Sequence, residues 1–318
     1  VVYAKGYLNG KRMFKHQALI EISHSFFKVL FAFVLVILGF GLLGAIAAYV
    51  IAPFLAFLLA LRYVRRDKVR EAFDKVTLLK FAIPITLFYA SVTMSMDLGL
   101  LSVKSLLEDN ALVGFYTSAS TLSKITFSLF TALPFTMLPS ISSALAEKKY
   151  LLVKKYISQS LRYTAMVLFP VAVLTSVYAK QLIMLFYSST YIKAAPILSI
   201  LVFGFTFFAL FMILSSVMAG ANKPGVAMSI AFILLALAFI LNRTLVPIYF
   251  ARGAAIATVL TGLVGFLIGA IYTLVKFKTL IPGYSALKII ISSGIIYCLG
   301  LFLQPSSWLF IVFAVLLG

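Results

Sequence analysis

The sequence predicts an all-α integral membrane protein, a polytopic helical bundle of about ten spans in which the last span is partial. Of its 318 residues, 63% are hydrophobic and 11% are charged, whereas soluble domains carry about 25% charged residues. Apolar runs near the length of about 20 residues that crosses a bilayer recur along the chain. The net charge of +19 lies mostly between these runs. That placement is typical of membrane loops, so we expect no nucleic acid partner.

The apolar runs are called spans A to J in chain order. Each is separated from the next by polar or turn-forming residues. They cover residues 19–38, 42–61, 80–102, 112–138, 161–179, 195–219, 226–247, 253–275, 286–303 and the short 307–318. Because position 1 is Val and span J is shorter than a crossing, we expect this sequence to be a piece of a longer chain.

The basic residues predict the orientation. Counted over alternate connections, 20 of the 27 Lys and Arg residues fall on one side and five on the other, while Lys28 and Lys124 lie inside spans. Cytoplasmic loops carry the excess of basic residues. The segment before span A is therefore predicted to be cytoplasmic in a multi-pass protein of the cell membrane. The cytoplasmic segment 147–162, which mixes lysines with apolar residues, is expected to contact membrane lipids.

No catalytic or metal-binding pattern is found. Cys298 is the single cysteine, and two His and eight acids are scattered along the chain. The glycine-rich segment 6–12, GYLNGKR, is one residue short of a phosphate-binding loop and has Arg12 where Ser or Thr would hold magnesium. We therefore expect no cofactor, no metal, no catalytic residue and no enzymatic activity.

Spans B and H resemble each other. The segments 44–63 and 253–272 align without gaps at an offset of 209 residues, with seven identities that include Gly44 with Gly253 and Tyr63 with Tyr272. Span H follows span B by six spans and has the same predicted orientation. The pattern predicts a parallel six-span repeat, an arrangement of secondary transporters.

Several short motifs resemble the polysaccharide flippases, which belong to the superfamily that also holds multidrug exporters and lipid II flippases. The order and spacing of the motifs carry the resemblance over nearly the whole chain. They are GFGLLGAIAAY at 39–49, the entry to span C at 81–84, Asp97, VGFYTSA at 113–119, Pro139, YIKAAPIL at 191–198 and PIYFARGAAIAT at 247–258. One departure is Leu98, which stands where family members often carry a basic or hydroxyl residue.

The resemblance implies two lobes of six helices. Residues 1–75 would end the first lobe, 76–279 would form the second, and 280–318 would be appended helices, with about four upstream spans missing. It also implies flipping of lipid-linked oligosaccharides or polysaccharide precursors from the cytoplasmic to the outer leaflet by alternating access. A glycan polymerase or glycosyltransferases of the same pathway would be partners.

Polar residues inside spans are the candidates for a substrate site, because charged groups there are costly and tend to face a bundle interior or water. Span D places a hydroxyl stripe around Lys124 at three- and four-residue steps: Thr117, Ser120, Thr121, Ser128 and Thr131. This pattern fits a cavity wall whose cation binds a diphosphate or an acidic sugar. Alternatively, the hydroxyls bond to their own helix and Lys124 pairs with an acid.

Three other spans carry further candidates. Span A carries a second polar stripe, formed by Gln17, Glu21, His24 and Lys28. Glu21 and His24 are candidates for ion coupling and Lys28 for substrate binding. Alternatively, Glu21 and Lys28 form a structural pair and His24 only makes hydrogen bonds. In span C, Asp97 could pair with Lys124, bind a coupling cation or contact water. In span G, Arg243 could bind substrate or extend toward the membrane surface.

Three rival functions stay open beside the flippase. A cation-coupled antiporter for drugs or small molecules belongs to the same superfamily, but it would favour an acidic cavity, whereas the intramembrane charges here lean basic. A membrane-bound glycan-processing enzyme would need an acid cluster and a large domain outside the membrane. A scaffold bundle without transport would leave a costly Lys124 in mid-membrane unexplained.

Overall fold

The computed structural model describes residues 6–8, 10, 11, 13–63, 75–130 and 132–303, and all regular secondary structure within them is helical. Seven helical segments of this part of the chain are long and apolar enough to cross a membrane. They are Lys15–Leu61, Val76–Leu107, Asn110–Ala146, Tyr150–Val177, Ser189–Gly220, Pro224–Phe277 and Gly283–Gly300. The predicted fold class, a polytopic all-α membrane bundle, is confirmed.

The chain divides into two compact units, and the described part of the first, Val1–Phe73, contains a helical hairpin. Helix α1 (Phe14–Leu35) and helix α2 (Gly41–Leu61) are joined by a π-helical turn. The chain reverses where Gly39 and Gly41 take φ angles of 92° and 49°, values that glycine adopts without steric cost. The helices then run back along each other, so that the His16 and Tyr63 rings lie 4.8 Å apart at the open end.

The second unit, Asp74–Gly318, contains eight α-helices in its described part. A 3₁₀ turn, Ser189–Ala194, leads into the helix that begins at Ala195. The helices are α3 (Lys75–Leu107), α4 (Asn110–Ser128), α5 (Ala132–Ala146), α6 (Tyr150–Val177), α7 (Ala179–Phe186), α8 (Ala195–Gly220), α9 (Pro224–Phe277) and α10 (Gly283–Leu303).

Helix α8 is the core of the second unit. It is apolar around its whole circumference, which is the pattern of a helix enclosed by others. It packs against α4, α5, α6 and α9, and Phe205, Phe208 and Phe211 are fully buried. Because α8 occupies the centre, its neighbours each have one face turned inward and one turned outward.

Helix α9 is itself a hairpin. Phe250 breaks it with φ 54° and ψ −140°, and the two halves then fold together, so that a Cβ at Gly265 would meet a Leu234 methyl group. The second half also touches α8 closely, because a Cβ on Gly262 would lie 2.8 Å from the Gly204 carbonyl oxygen. These small residues let the helix backbones approach each other.

The breaks in the two hairpins support the predicted repeat. Gly41 has φ 49° and ψ −132°, and Phe250, 209 residues later, has nearly the same angles. The buried small residues that follow each break also keep this offset. They are Gly44, Ala48, Ala52, Ala56 and Ala60 in α2, and Gly253, Ala257, Thr261, Gly265 and Gly269 in α9. Spans B and H thus use one packing pattern.

The predicted spans can be compared with the helices one by one. Spans A and B lie in α1 and α2, and spans G and H lie in the two halves of α9. Span D covers α4 and α5, which meet at a turn at Leu129 and Phe130. Spans A to I each have a helical counterpart, whereas span J lies outside the described residues. The total of about ten and the predicted three-part division therefore stay predictions.

Candidate functional site

Helices α3 and α4 present an outward face that carries polar side chains. On α3, Thr86, Thr93 and Asp97 follow at seven and four residues, and all three are exposed or half-buried. Such spacing places them along one side of a helix. By contrast, α10 exposes a run of large apolar side chains, among them Ile290, Ile291, Ile295 and Leu299. The α3–α4 face is therefore chemically distinct from the surfaces that suit lipid.

Helix α4 divides its hydroxyl groups between two faces. Thr117, Thr121 and Ser128 are exposed beside the half-buried Lys124, as the predicted stripe requires. The inclusion of Ser120 in that stripe was wrong, because its side chain is 7% exposed. At about 100° per residue, position 120 lies at the edge of the stripe, where the helix turns inward. Thr131, which was also predicted to belong to the stripe, lies outside the described residues.

Lys124 forms an ion pair with Asp97. The Lys124 Nζ lies 2.7 Å from the Asp97 Oδ1, joining α4 to α3 across 27 residues of sequence. The two side chains are 43% and 42% exposed. Lys124 is 14 residues from the start of α4, or about 21 Å along the helix, so it lies deep in predicted span D, whereas Asp97 lies toward the outer end of predicted span C. Of the alternatives for Asp97, pairing with Lys124 is the one present in this structure.

The exposed hydroxyls of α4 bond to their own helix. Thr117 Oγ1 donates to the Val113 carbonyl at 2.8 Å, and Thr121 Oγ1 donates to that of Thr117 at 2.9 Å. Ser128 Oγ donates to the Lys124 carbonyl at 2.8 Å. Their protons are therefore engaged, while their oxygen lone pairs face outward. This is the alternative that the sequence left open, and it makes the Lys124 ammonium the charged donor of the stripe.

Close packing behind the ion pair holds its two helices together. Gly99, two residues after Asp97, lies so near the Tyr116 phenol that any side chain at 99 would collide with it. Tyr116 is buried, and its hydroxyl lies 3.5 Å from Thr258 Oγ1 on the second half of α9. Sequence reasoning missed the roles of Tyr116 and Thr258, although both fall within motifs that it singled out.

The candidates of span A lie in the first unit, on α1. Glu21 is exposed, whereas His24 and Lys28 are half-buried. The Lys28 Nζ lies 5.1 Å from the centroid of the Tyr49 ring on α2, within the range of a cation–π interaction. The predicted substrate or coupling roles of these three residues stay predictions.

Arg243 is exposed on the first half of α9 among apolar neighbours. Phe239 and Ile240, on the same outward side, are 61% and 57% exposed. This setting favours extension toward the membrane surface over substrate binding. The adjacent Asn242 is buried: its Nδ2 donates to the Ala238 carbonyl at 2.8 Å, and its Oδ1 has no hydrogen-bond partner among the described residues. An amide within an apolar run was the signal that sequence reasoning passed over.

Outside the spans, Lys149 pairs with Glu147 between α5 and α6 at 2.6 Å. The hydrogen bond and the negative charge of Glu147 raise the pKa of Lys149. Both side chains are more than half exposed, so this pair resembles the Lys124 pair in chemistry but lies in a connection. Among the described residues, no group of three His, Cys, Asp or Glu side chains could hold a metal.

Comparison with known sequences identifies the family. Residues 2–196 match the family described as polysaccharide biosynthesis protein, which is more than half of the chain. An uncharacterized membrane protein, MJ1068 of Methanocaldococcus jannaschii, is 30% identical over 120 residues, or 37% of this chain and 24% of that protein. The chain therefore spans about a quarter of that curated relative's length.

Comparison with solved structures identifies the fold. The lipid II flippase MurJ in an inward closed conformation aligns with 94% of this chain at a TM-score of 0.71 and 19% identity. A MATE transporter in complex with MaL6 aligns with 86% at a TM-score of 0.74 and 18% identity. A mutant of VcmN, a MATE transporter of Vibrio cholerae, aligns with 80% at 0.69 and 16% identity.

The chain covers 65%, 65% and 61% of those three structures, respectively. Their shared helical arrangement is the one described above, and the matched family covers both the hairpin of the first unit and the α3–α4 face. The chain thus belongs to the polysaccharide biosynthesis protein family and has the fold seen in the lipid II flippase MurJ and in MATE transporters.

Proposed function

We propose that the protein flips lipid-linked oligosaccharides or polysaccharide precursors from the cytoplasmic to the outer leaflet of the cell membrane. The observation that carries the proposal is the Lys124–Asp97 pair, half exposed on a hydroxyl-bearing face within the predicted spans. Family membership supports the substrate class, and the fold supports movement across a membrane.

The exposure of the pair favours water over lipid at this face. A charged side chain at the centre of a bilayer costs about 2.5–3.5 kcal/mol by insertion scales, so such residues face protein or an aqueous cavity. Both members of the pair keep more than 40% of their side-chain surface open. A face of this kind suits a hydrophilic head group that passes the membrane while its lipid tail stays among the acyl chains.

The chemistry of the face suits an anionic head group rich in hydroxyls. The Lys124 ammonium has three donor positions and uses one of them on Asp97. Phosphate oxygens bind such a cation through short, charge-assisted hydrogen bonds. The outward lone pairs of Thr117 and Thr121 can accept bonds from sugar hydroxyls without breaking their bonds to the helix. Lys124 would therefore hold the phosphate and the threonines the first sugar.

Alternating access completes the proposal. Pro84 in α3, Pro139 in α5 and Pro170 in α6 each remove a helix hydrogen bond, and such positions can bend. Glu21, His24 and Lys28 stay candidates for coupling and for a second contact with the substrate. The segment before span A would face the cytoplasm.

A cation-coupled multidrug antiporter is the second candidate. Asp97 is the observation that favours it, because a half-exposed carboxylate within a span could bind a cationic drug or a coupling ion. The similar structures include multidrug MATE transporters. The complementation experiment that follows separates the flippase from the antiporter.

A complementation experiment with the natural full-length protein tests the proposal. The protein is expressed in a bacterial strain that lacks its own polysaccharide flippase, and surface glycan is measured together with resistance to cationic drugs. We expect restored surface glycan without drug resistance. Drug resistance without glycan, across strains that make different saccharides, would instead support the antiporter.

The variant Lys124→Gln tests whether Lys124 binds the head group. A hydrogen bond to a charged group contributes about 1.5–3 kcal/mol, so we expect surface glycan export to fall at least about tenfold at equal protein levels in the membrane. Lys149→Gln, which removes one positive charge from the half-exposed pair outside the spans, is the matched control and should export normally. Normal export by Lys124→Gln would remove Lys124 from the site.

A further inference from the structure

We propose that Asp97 is a built-in competitor for Lys124: an incoming phosphate can contact the free donors of the ammonium, but it gains the full positive charge only by displacing the Asp97 carboxylate. This inference rests on the proposed function, and it assigns to Asp97 a role other than holding a coupling cation. It concerns how tightly the site binds its substrate and how readily the substrate leaves.

The geometry of the pair permits exchange. One oxygen of Asp97 lies 2.7 Å from Lys124 Nζ, and the partners belong to different helices, α3 and α4. Separating them therefore requires only side-chain rotation, with no backbone bond broken. Because both side chains are more than 40% open, an incoming anion can reach the ammonium and water can reach the released carboxylate. The released Asp97 would not be left in a dry environment.

The surroundings make Lys124 the group for which the two anions compete. The nearest exposed hydroxyls on α4 donate to backbone carbonyls, so they offer an anion no donor unless a helix bond is given up. The charged groups beside these hydroxyls are Lys124 and Asp97 themselves. Lys104, at the outer end of α3, is engaged with Asn110 Oδ1. A phosphate on this face therefore meets Asp97 as its direct rival.

The packing behind the pair keeps the competitor in place. The close approach of Gly99 to Tyr116 holds α3 against α4 within two residues of Asp97, and Tyr116 is buried against α9. A carboxylate held this way has a high effective concentration at the ammonium. It lowers the affinity for any free anion, and it returns to Lys124 when the head group leaves. A flippase needs this property, because a substrate that binds too tightly cannot be released.

Binding of farnesyl diphosphate to the purified full-length protein in nanodiscs tests the inference, with farnesol as the uncharged control. An exposed ion pair is commonly worth up to about 1 kcal/mol, so Asp97→Asn should bind the diphosphate about two- to fivefold more tightly than the unmodified protein. Lys124→Gln should bind it more weakly. The double variant should match Lys124→Gln, because the competitor acts only through Lys124.

Glu147→Gln is the matched control for the change in net charge. It removes the acid of the second lysine–carboxylate pair, which lies outside the spans, and it should leave the affinity unchanged. A second variant, Asp97→Ser, removes the carboxylate and leaves a smaller side chain. It should show the same gain in affinity for the diphosphate, and it replaces Asp97→Asn if the Asn variant does not fold.

The outcomes separate the inference from the proposed function. If the unmodified protein binds the diphosphate through Lys124 but neither Asp97 variant binds it more tightly, the competitor role is overturned and the proposed function stands. The same holds if the double variant keeps the gain of Asp97→Asn, or if Glu147→Gln shows an equal gain. If no protein, including Asp97→Asn, binds the diphosphate better than farnesol, the proposed function fails and the inference fails with it.

Discussion

At the scale of single residues, the Lys124–Asp97 contact decides what the polar stripe of α4 can do. Lys124 without a partner would be a strong anion site, whereas Lys124 with a carboxylate 2.7 Å away is a moderated one. The hydroxyls around it are also constrained, because those of Thr117 and Thr121 donate to backbone carbonyls of their own helix. In the proposed site, single hydrogen bonds thus separate tight binding from binding that allows release.

At Phe250, the backbone conformation of one residue forms the turn between the two halves of α9. Its φ of 54° and ψ of −140° belong to a region that residues with a Cβ rarely occupy, and its side chain is 56% exposed and so gains little from packing. The position equivalent in the repeat is Gly41, which takes nearly the same angles. Phe250 therefore carries strain that its counterpart avoids.

Phe250→Gly should stabilise the protein. Such strain costs about 1–3 kcal/mol, and the added freedom of glycine in the unfolded chain offsets about 0.5–1 kcal/mol of the relief. We expect a melting temperature in detergent about 2–4 °C higher. Tyr249→Gly, at the neighbouring exposed and helical position, is the control and should lower it. A lower melting temperature for Phe250→Gly would show that the turn is not strained.

At the scale of elements, the second unit depends on how closely α8 and the second half of α9 approach. Gly204 and Gly262 face each other there, and Thr258 packs over Gly204. Thr258 also touches the Tyr116 hydroxyl, so this contact is linked to the packing behind the ion pair. Small residues at this crossing therefore position the functional face on the other side of α4.

Gly262→Ala should destabilise the second unit. The new Cβ would lie 2.8 Å from the Gly204 carbonyl oxygen, so the two backbones must separate at a cost of about 1–3 kcal/mol. Gly294→Ala in α10 is the matched control, because nothing lies within 4 Å of the position that its new methyl group would take. It should be neutral or stabilising by up to about 1 kcal/mol. Size-exclusion profiles and melting temperatures in detergent measure both; equal behaviour would refute the close crossing.

At the scale of the whole molecule, function depends on which end of each helix faces the cytoplasm. The predicted orientation places the lysines of 148–155 inside and Lys180 outside. Under the proposed function, the same orientation sets the direction of flipping, because the lipid-linked saccharide would load from the cytoplasmic side.

Thiol labelling tests this orientation in the natural full-length protein, with Cys298 and any cysteine outside this sequence replaced by Ser. Lys180 and Lys155 are both exposed. We expect Lys180→Cys to react with a membrane-impermeant maleimide in intact cells, and Lys155→Cys to react only after the membrane is opened. Labelling in the reverse order would invert the predicted topology.

Sequence by itself determined the membrane class and the helical character of spans A to I, and it predicted the repeat after 209 residues and the stripe around Lys124. These follow from apolar run length, charge placement and helical period, which are local properties. Only the tertiary structure decided that Ser120 turns inward, that Asn242 is buried beside the exposed Arg243, and that Asp97 meets Lys124 across 27 residues. The helical period says which side chains share a face, but the neighbouring helices determine which face is covered.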